Sequence, residues 1–229
     1  MCIRDSYHRP ESPDESGGDL VWEIGSGYFG CRNDDGSFSP EKFALNAQLA
    51  QVKMIEVKLS QGAKPGHGGV LPGAKVSPEI AAARGVPLGM DCVSPSSHTA
   101  FDSPIGLLQF IEQLRNLSGG KPTGFKLAVG HPWEFFGIVK AMLATGITPD
   151  FIVIDGGEGG TGAAPVEFTD HVGVPLQEAL LLAHNTLVGA KLRDKVKLGA
   201  SGKIVTAFDI VRTLAVSYTH LTLPTILLV

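Results

Sequence analysis

The spacing of apolar residues changes period along the chain, and each change marks an element. Residues 54–59 (Met-Ile-Glu-Val-Lys-Leu) alternate apolar and polar side chains, the period of a strand with one covered face. Residues 124–129 and 196–200 predict further strands, and the unbroken apolar run at 151–154 predicts a buried one. Residues 20–30 mix aromatic and apolar residues with glycine and predict a short strand or hairpin. Between these stretches come helices. Ser39-Pro40-Glu41, Ser77-Pro78-Glu79 and Ser103-Pro104 each offer a serine cap followed by proline at the first helical position. They predict helices from Pro40, over 80–84, and from Pro104 through Leu114; further helices are predicted over 132–144, 175–189 and 203–214.

Strands alternating with helices predict a parallel α/β fold. A doubly wound sheet carries its glycine loop after the first strand. Here glycine and polar clusters follow several strands, at 61–73, Gly130-His131, 156–162 and Ser201-Gly202. Ligand groups on several strand-to-helix loops match a (β/α)8 TIM barrel, whose sites lie at the C-terminal ends of the strands. A whole barrel takes about 250 residues, so roughly five or six β/α units are expected, an incomplete barrel.

The two ends carry a different signal. Residues 1–6 read Met-Cys-Ile-Arg-Asp-Ser, and residues 216–220 read Val-Ser-Tyr-Thr-His. Back-translated as ATG TGT ATA AGA GAC AG, the first has a reverse complement that encodes the second. The inverted repeat resembles the mosaic end of a transposase used in sequencing-library preparation, and Leu221-Thr222-Leu223-Pro224-Thr225 continues that adapter outward. Residues 1–6 and 216–229 are therefore expected to be translated adapter, and residues 7–215 the partial barrel, opening on a polar loop over 7–19.

Composition narrows the function. With 19 basic against 23 acidic residues, the net charge of −4 offers no basic surface for nucleic acid. Once Cys2 is set aside, Cys31 and Cys92 cannot build a disulfide framework and fit a reducing, cytoplasmic compartment. No apolar run approaches the roughly 20 residues of a membrane span. Membrane attachment of the parent protein is left open.

The 29 glycines gather where chemistry is expected. In Asp155-Gly156-Gly157-Glu158-Gly159-Gly160-Thr161-Gly162-Ala163, backbone N–H groups can approach an anion or a ring system without a Cβ in the way. The alternative is a flexible turn. Gln61-Gly62-Ala63-Lys64-Pro65-Gly66-His67-Gly68-Gly69 sets a cation, Lys64, and a two-way hydrogen-bonding group, Gln61, on a stiffened loop; a solvated lysine is the other reading. Lys126 is a charge inside an apolar strand, expected at the barrel mouth or in a structural ion pair. Ser201-Gly202-Lys203 closes a strand and is expected to open a helix, where phosphate can bind, or to act only as a cap. His98 and His131 lie on loops, His184 is expected to pack in its helix, and two cysteines alone make no metal site.

This ordered series resembles the FMN-binding domain of the glutamate synthase family over most of residues 18–214. The resemblance rests on Gln61-Gly62-Ala63-Lys64-Pro65-Gly66 with Gly68-Gly69 and Leu71-Pro72-Gly73, on Ser94-Pro95, Lys126-Leu127, and residues 155–165, and on the helix through His184 to Leu187. It is nearer to stand-alone members than to the large multidomain subunit, and His67 stands where that subunit has Glu. The resemblance implies a (β/α)8 barrel with FMN at its mouth and an iron–sulfur cluster beside it. It implies reduction of the imine of 2-oxoglutarate and ammonia to L-glutamate, with electrons from a protein or reduced nicotinamide donor. Lys64 and Gln61 would face flavin and 2-oxoglutarate, and Lys126 the anionic edge of reduced flavin. Gly156, Gly157, Gly159, Gly160 and Thr161 would surround the cofactor, and Ser201, Gly202 and Lys203 its phosphate side. The cluster cysteines are expected beyond Ala215, so this polypeptide is expected to bind no cluster and at best weak FMN. Two alternatives are a flavoenzyme that uses methylamine to form N-methylglutamate and a non-redox barrel for a phosphorylated ligand.

Overall fold

The computed structural model describes residues 19–159, 164–217 and 220–221. The elements run β1 (Leu20–Ile24), α1 (Pro40–Ala47), β2 (Val52–Lys58), β3 (Gly69–Leu71), α2 (Pro78–Arg84), β4 (Cys92–Ser94), α3 (Pro104–Leu117), β5 (Thr123–Leu127), α4 (Pro132–Thr145), β6 (Phe151–Asp155), α5 (Leu176–Gly189), β7 (Lys197–Ser201), α6 (Ala207–Ser217) and β8 (His220–Leu221). Six strands form one parallel sheet in the order β1-β2-β5-β6-β7-β8. Among the described residues β1 and β8 are its open edges, so the expected incomplete barrel is an unclosed one. Of the segments expected to be adapter, residues 1–6 and 222–229 lie outside the described residues; β8 and the last two residues of α6 lie within 216–229.

Serine caps start three helices as the sequence predicts. Ser39, Ser77 and Ser103 accept from the N–H groups of Lys42, Ile80 and Gly106 at 3.2–3.3 Å. The helices cover the sheet's outer face. Ile55, Val57, Phe125, Ile152, Ile154 and Leu198 point that way and share one core with Phe43, Leu108, Leu114, Phe135, Met142 and Leu187. The strand period of two sends their neighbours inward; Glu23, Glu56, Lys58, Lys126, Asp155 and Ser201 lie there toward the C-terminal ends of the strands, and Val21, Met54, Phe151 and Val153 toward the other end.

Two expectations need correction. Part of the predicted 61–73 loop is strand: β3 pairs antiparallel with β4, Gly69 opposite Ser94. Strands of three residues leave no readable period. Helix α6 starts at Ala207, not at Lys203. Gly202 (φ +134°) and Lys203 (φ +41°) are off the helical path, and the Asp209 carboxylate takes the Val205 and Thr206 N–H groups at 3.2 and 2.9 Å. No described helix is long and apolar enough to cross a membrane.

Gly124 is required by packing between β5 and β6. A Cβ there would lie 2.2 Å from the Phe151 carbonyl oxygen and 2.7 Å from its ring. Gly124→Ala is expected to cost about 1–3 kcal/mol, the usual range for overpacking. Urea denaturation reads this as a lower midpoint, and an unchanged midpoint would contradict the packing.

Candidate active site at the strand ends

The C-terminal ends of β1 and β2 surround a cavity of about 80 Å³, lined among others by Glu23, Ser26, Lys58, Gln61, Lys64 and Ser94. The loop after β2 forms its rim. The Lys64 N–H donates to the Gln61 carbonyl at 3.1 Å, and the His67 N–H donates to the Lys64 carbonyl at 3.3 Å. Gln61 and Lys64 both line the opening.

One carboxylate joins this loop to the glycine loop. Asp155, the last residue of β6, accepts from the Gly62 N–H at 2.8 Å and from the Ser201 hydroxyl. Gly62 sits so tightly on Gly156 that a Cβ would fall 1.8 Å from the Gly156 carbonyl oxygen. The Gly157 Cβ position is likewise 2.2 Å from the Gly173 carbonyl oxygen. The Gly156, Gly157 and Gly159 N–H groups donate to Ser201, Val174 and Gly156 carbonyls at 2.7–2.9 Å. These three amides are thus spent on the loop's own packing, which corrects the expectation that they lie open to an anion. Gly160 and Thr161 lie outside the described residues. Glu158 accepts from the Leu176 N–H at 2.9 Å and caps α5.

The third candidate group is also partnered. Ser201 bonds Asp155, Gly202 lies against Gly156 and Gly159, and the Lys203 ammonium is 2.9 Å from Asp170. The strand end at 201 and the loop at 156–159 are nevertheless contiguous, so the sequence-selected segments converge at one end of the sheet.

Beneath the mouth lies a charged layer that the sequence reading missed except for Lys126. Lys126 Nζ pairs with Glu23 and lies 3.7 Å from Glu56; Lys58 Nζ is 3.5 Å from Glu23. The register sets Glu23 opposite Glu56 and Lys58 opposite Lys126, so attraction runs diagonally across β1, β2 and β5. Burial alone would raise the Glu23 pKa, but Lys126 and Lys58 overcome it and hold the group at about 2. Burial raises Glu56 to about 8, against Lys126 and helped by the Glu23 charge. Burial works to lower Lys126, yet the two carboxyls raise it above the ordinary lysine value. The alternation of 54–59 already set Glu56 and Lys58 on one face. Their pairing across strands has no linear trace.

His98 props up this layer from behind. Its Nε2 is 2.8 Å from the Lys58 carbonyl and its Nδ1 3.2 Å from the Tyr28 hydroxyl, which accepts the Ala100 N–H at 3.0 Å. A carbonyl only accepts, so His98 carries its proton on Nε2 and takes the Tyr28 proton at Nδ1. Among the other candidates, His131 stacks on Trp133, and His184, on α5, accepts at 3.2 Å from Arg193, which lies past the helix's end. Cys31 is buried, which pushes its thiol pKa up, and Cys92 is buried beside Arg84. No group of three His, Cys, Asp or Glu residues among the described residues could hold a metal ion.

Comparison with known proteins adds the lineage. The family model described as "Conserved region in glutamate synthase" matches residues 8–229. The glutamate synthase large subunit-like protein YerD of Bacillus subtilis is 44% identical over 201 residues, 88% of this chain and 38% of the relative. The archaeal glutamate synthase [NADPH] of Methanocaldococcus jannaschii is 38% identical over 179 residues, 76% of this chain and 34% of the relative. The chain thus spans little more than a third of the length of these relatives. Among solved structures, Trypanosoma brucei GMP reductase C318A with guanosine 5'-monophosphate aligns at TM-score 0.51 and 12% identity, over 90% of this chain and 30% of that one. The L230A mutant of flavocytochrome b2 with benzoylformate aligns at 0.51 and 14%, over 89% and 41%. These two likenesses concern the fold alone.

Two outcomes follow from the geometry. Asp155→Ala removes the acceptor of the Gly62 N–H, so amide exchange at residues 61–66 is expected to quicken at least about tenfold, a loss of about 1.4 kcal/mol of local protection; unchanged exchange would contradict the tie. Burial holds the His98 pKa below the ordinary 6.5. The unfolded chain then takes up that proton before the folded one does, so His98 lowers stability as pH falls below 6.5. His98→Gln is expected to flatten the acid side of a midpoint-versus-pH curve, and parallel curves would rule the assignment out.

Proposed function

The chain belongs to the glutamate synthase family, and on that premise we propose that its strand-end mouth serves an FMN-dependent oxidoreductase reducing the imine of 2-oxoglutarate and ammonia to L-glutamate. The observation that carries this reading is the mouth itself: Lys58, Lys64 and Gln61 around a small cavity, above the buried Lys126. Ammonium groups and an amide suit the two carboxylates of a 2-oxo diacid. The cavity's 80 Å³ suits only a small acid or part of a larger ligand.

The residues present also suit a flavin. Glu23 lines the mouth cavity, and its buried Oε1 accepts no hydrogen bond, the Lys58 ammonium standing 3.5 Å away. An acceptor in that state fits a ring N–H, and Lys126 beside it suits an anionic ring edge. Bound FMN would supply the hydride. Lys64 and Gln61 would hold the diacid, Lys126 and Lys58 would balance negative charge, and Asp155 would keep the Gln61 loop seated. Ser201, Gly202 and Lys203 form the candidate phosphate side. The iron–sulfur cluster that would deliver electrons belongs to the proposal for the longer protein, and no residue of this chain is assigned to it. A cytoplasmic setting is likewise proposed.

The nitrogen donor depends on the mouth's rim, where His67 stacks edge-on against Phe168. Supplying the longer protein with FMN, a low-potential reductant and 2-oxoglutarate, together with ammonium, glutamine or methylamine in turn, separates the donors. L-Glutamate from ammonium is expected; N-methylglutamate alone would move the reading to methylamine. For the chain itself, Lys64→Met removes one charge-assisted contact, which is worth about 1.5–3 kcal/mol. Calorimetric titration is expected to read a 10- to 100-fold weaker 2-oxoglutarate affinity. Equal affinity would contradict the assignment.

A further inference from the structure

The inner face of the sheet holds an imbalance of charge. Three carboxyls, Glu23, Glu56 and Asp155, share the layer with two ammonium groups, Lys58 and Lys126. All three acids are at most 7% exposed. Burying an unmatched charge is costly, so a layer of this composition is cheapest when one acid keeps its proton. The contacts select which one. Asp155 has the Gly62 N–H and the Ser201 hydroxyl, and Glu23 has both lysines. Glu56 reaches one ammonium, Lys126, at 3.7 Å. Glu23 and Glu56 stand directly opposite one another in the β1–β2 register, and two like charges so placed repel, which favours a proton on one of them.

Glu56 is also placed to exchange that proton. A second cavity, about 570 Å³, opens on the inner face, lined by Glu56 with Val21, Met54, Val153, Lys197 and Gly199. Glu23 and Lys58 line the mouth cavity instead. The layer therefore lies between the two cavities, with Glu56 lining one and Glu23 and Lys58 lining the other. The ionisable groups facing Glu56 are Glu23 from β1, Lys58 from its own strand, Lys126 from β5 and Asp155 from β6; Asp150, Lys195 and Lys197 lie farther along the same cavity.

We propose that Glu56 carries the proton that neutralises this layer, and that its loss weakens the mouth's attraction for anions, so that anionic ligands bind there more tightly while Glu56 is protonated. The inference rests on the reading of the mouth as a 2-oxoglutarate site. It adds a positioning residue that touches no ligand and acts through Glu23 and Lys126. With Glu56 neutral, the two lysines face two carboxylates. With Glu56 ionised, Lys126 is shared between two anions and has less charge left for the mouth.

The test separates the proton from its consequence. In the full chain labelled with carbon-13 at glutamate carboxyls, nuclear magnetic resonance is expected to find one glutamate titrating between about pH 7 and 9, far above the ordinary carboxylate range. That resonance should vanish in Glu56→Gln. All glutamates titrating below pH 6 would overturn the proposal, whatever the chain binds. For the consequence, wild-type affinity for 2-oxoglutarate is expected to fall about tenfold from pH 7 to 9, and Glu56→Gln affinity to stay flat across that range. Equal slopes would overturn the coupling even if the proton is found. Absence of 2-oxoglutarate binding at every pH would overturn the proposed function and, with it, the coupling, while the carboxyl titration still decides separately whether Glu56 holds the proton. Should Glu56→Gln fail to fold, the wild-type resonance decides, read again in Lys126→Arg. That change keeps the neighbouring charge and is expected to leave the resonance in the same range.

Discussion

The mouth depends on the buried contact between Lys126 and Glu23. It joins β5 to β1 across β2, and it holds a positive charge at the sheet's interior end where water is scarce. Removing one partner of such a pair leaves the other charged and unpaired, which costs about 3–5 kcal/mol. Everything nearer the opening is built over this contact. Lys58 shares Glu23, His98 holds the Lys58 carbonyl, and Tyr28 holds His98. The cavity's cationic lining is thus fixed from below by hydrogen bonds that run through β2 and two loops.

A second constraint works at the level of the backbone. Asp155 seats the Gly62 loop, and Gly62 then touches Gly156 too closely for any side chain. The two glycine loops behave as one packed unit through a single carboxylate. This arrangement leaves Gln61 and Lys64 on the rim while the amides beneath are already satisfied, so ligand selection falls to side chains.

The helices and the strand pattern were legible because both depend on local chemistry. A serine before a proline caps a helix wherever it stands, and the alternation at 54–59 needs no knowledge of its neighbours. Lys126 was legible as a charge out of place, with an ion pair as one of its two readings. Its partners were not, because Glu23 lies 103 positions away and only the sheet brings them together. The glycines were read for ligand contact. Their density reflected close backbone packing as well, and composition cannot tell the two uses apart. The ribbon of β3 and β4 escaped notice because three residues are too few for a period to appear.

Where a flavin would meet this chain is therefore the central question. Mapping amide chemical shifts during an FMN titration answers it most directly. Shifts gathered at residues 58–69, 94–96, 156–159 and 201–203, all at the C-terminal ends of the strands, are the expected result. Shifts confined to residues 150–153 and 195–199, at the opposite ends, would contradict it.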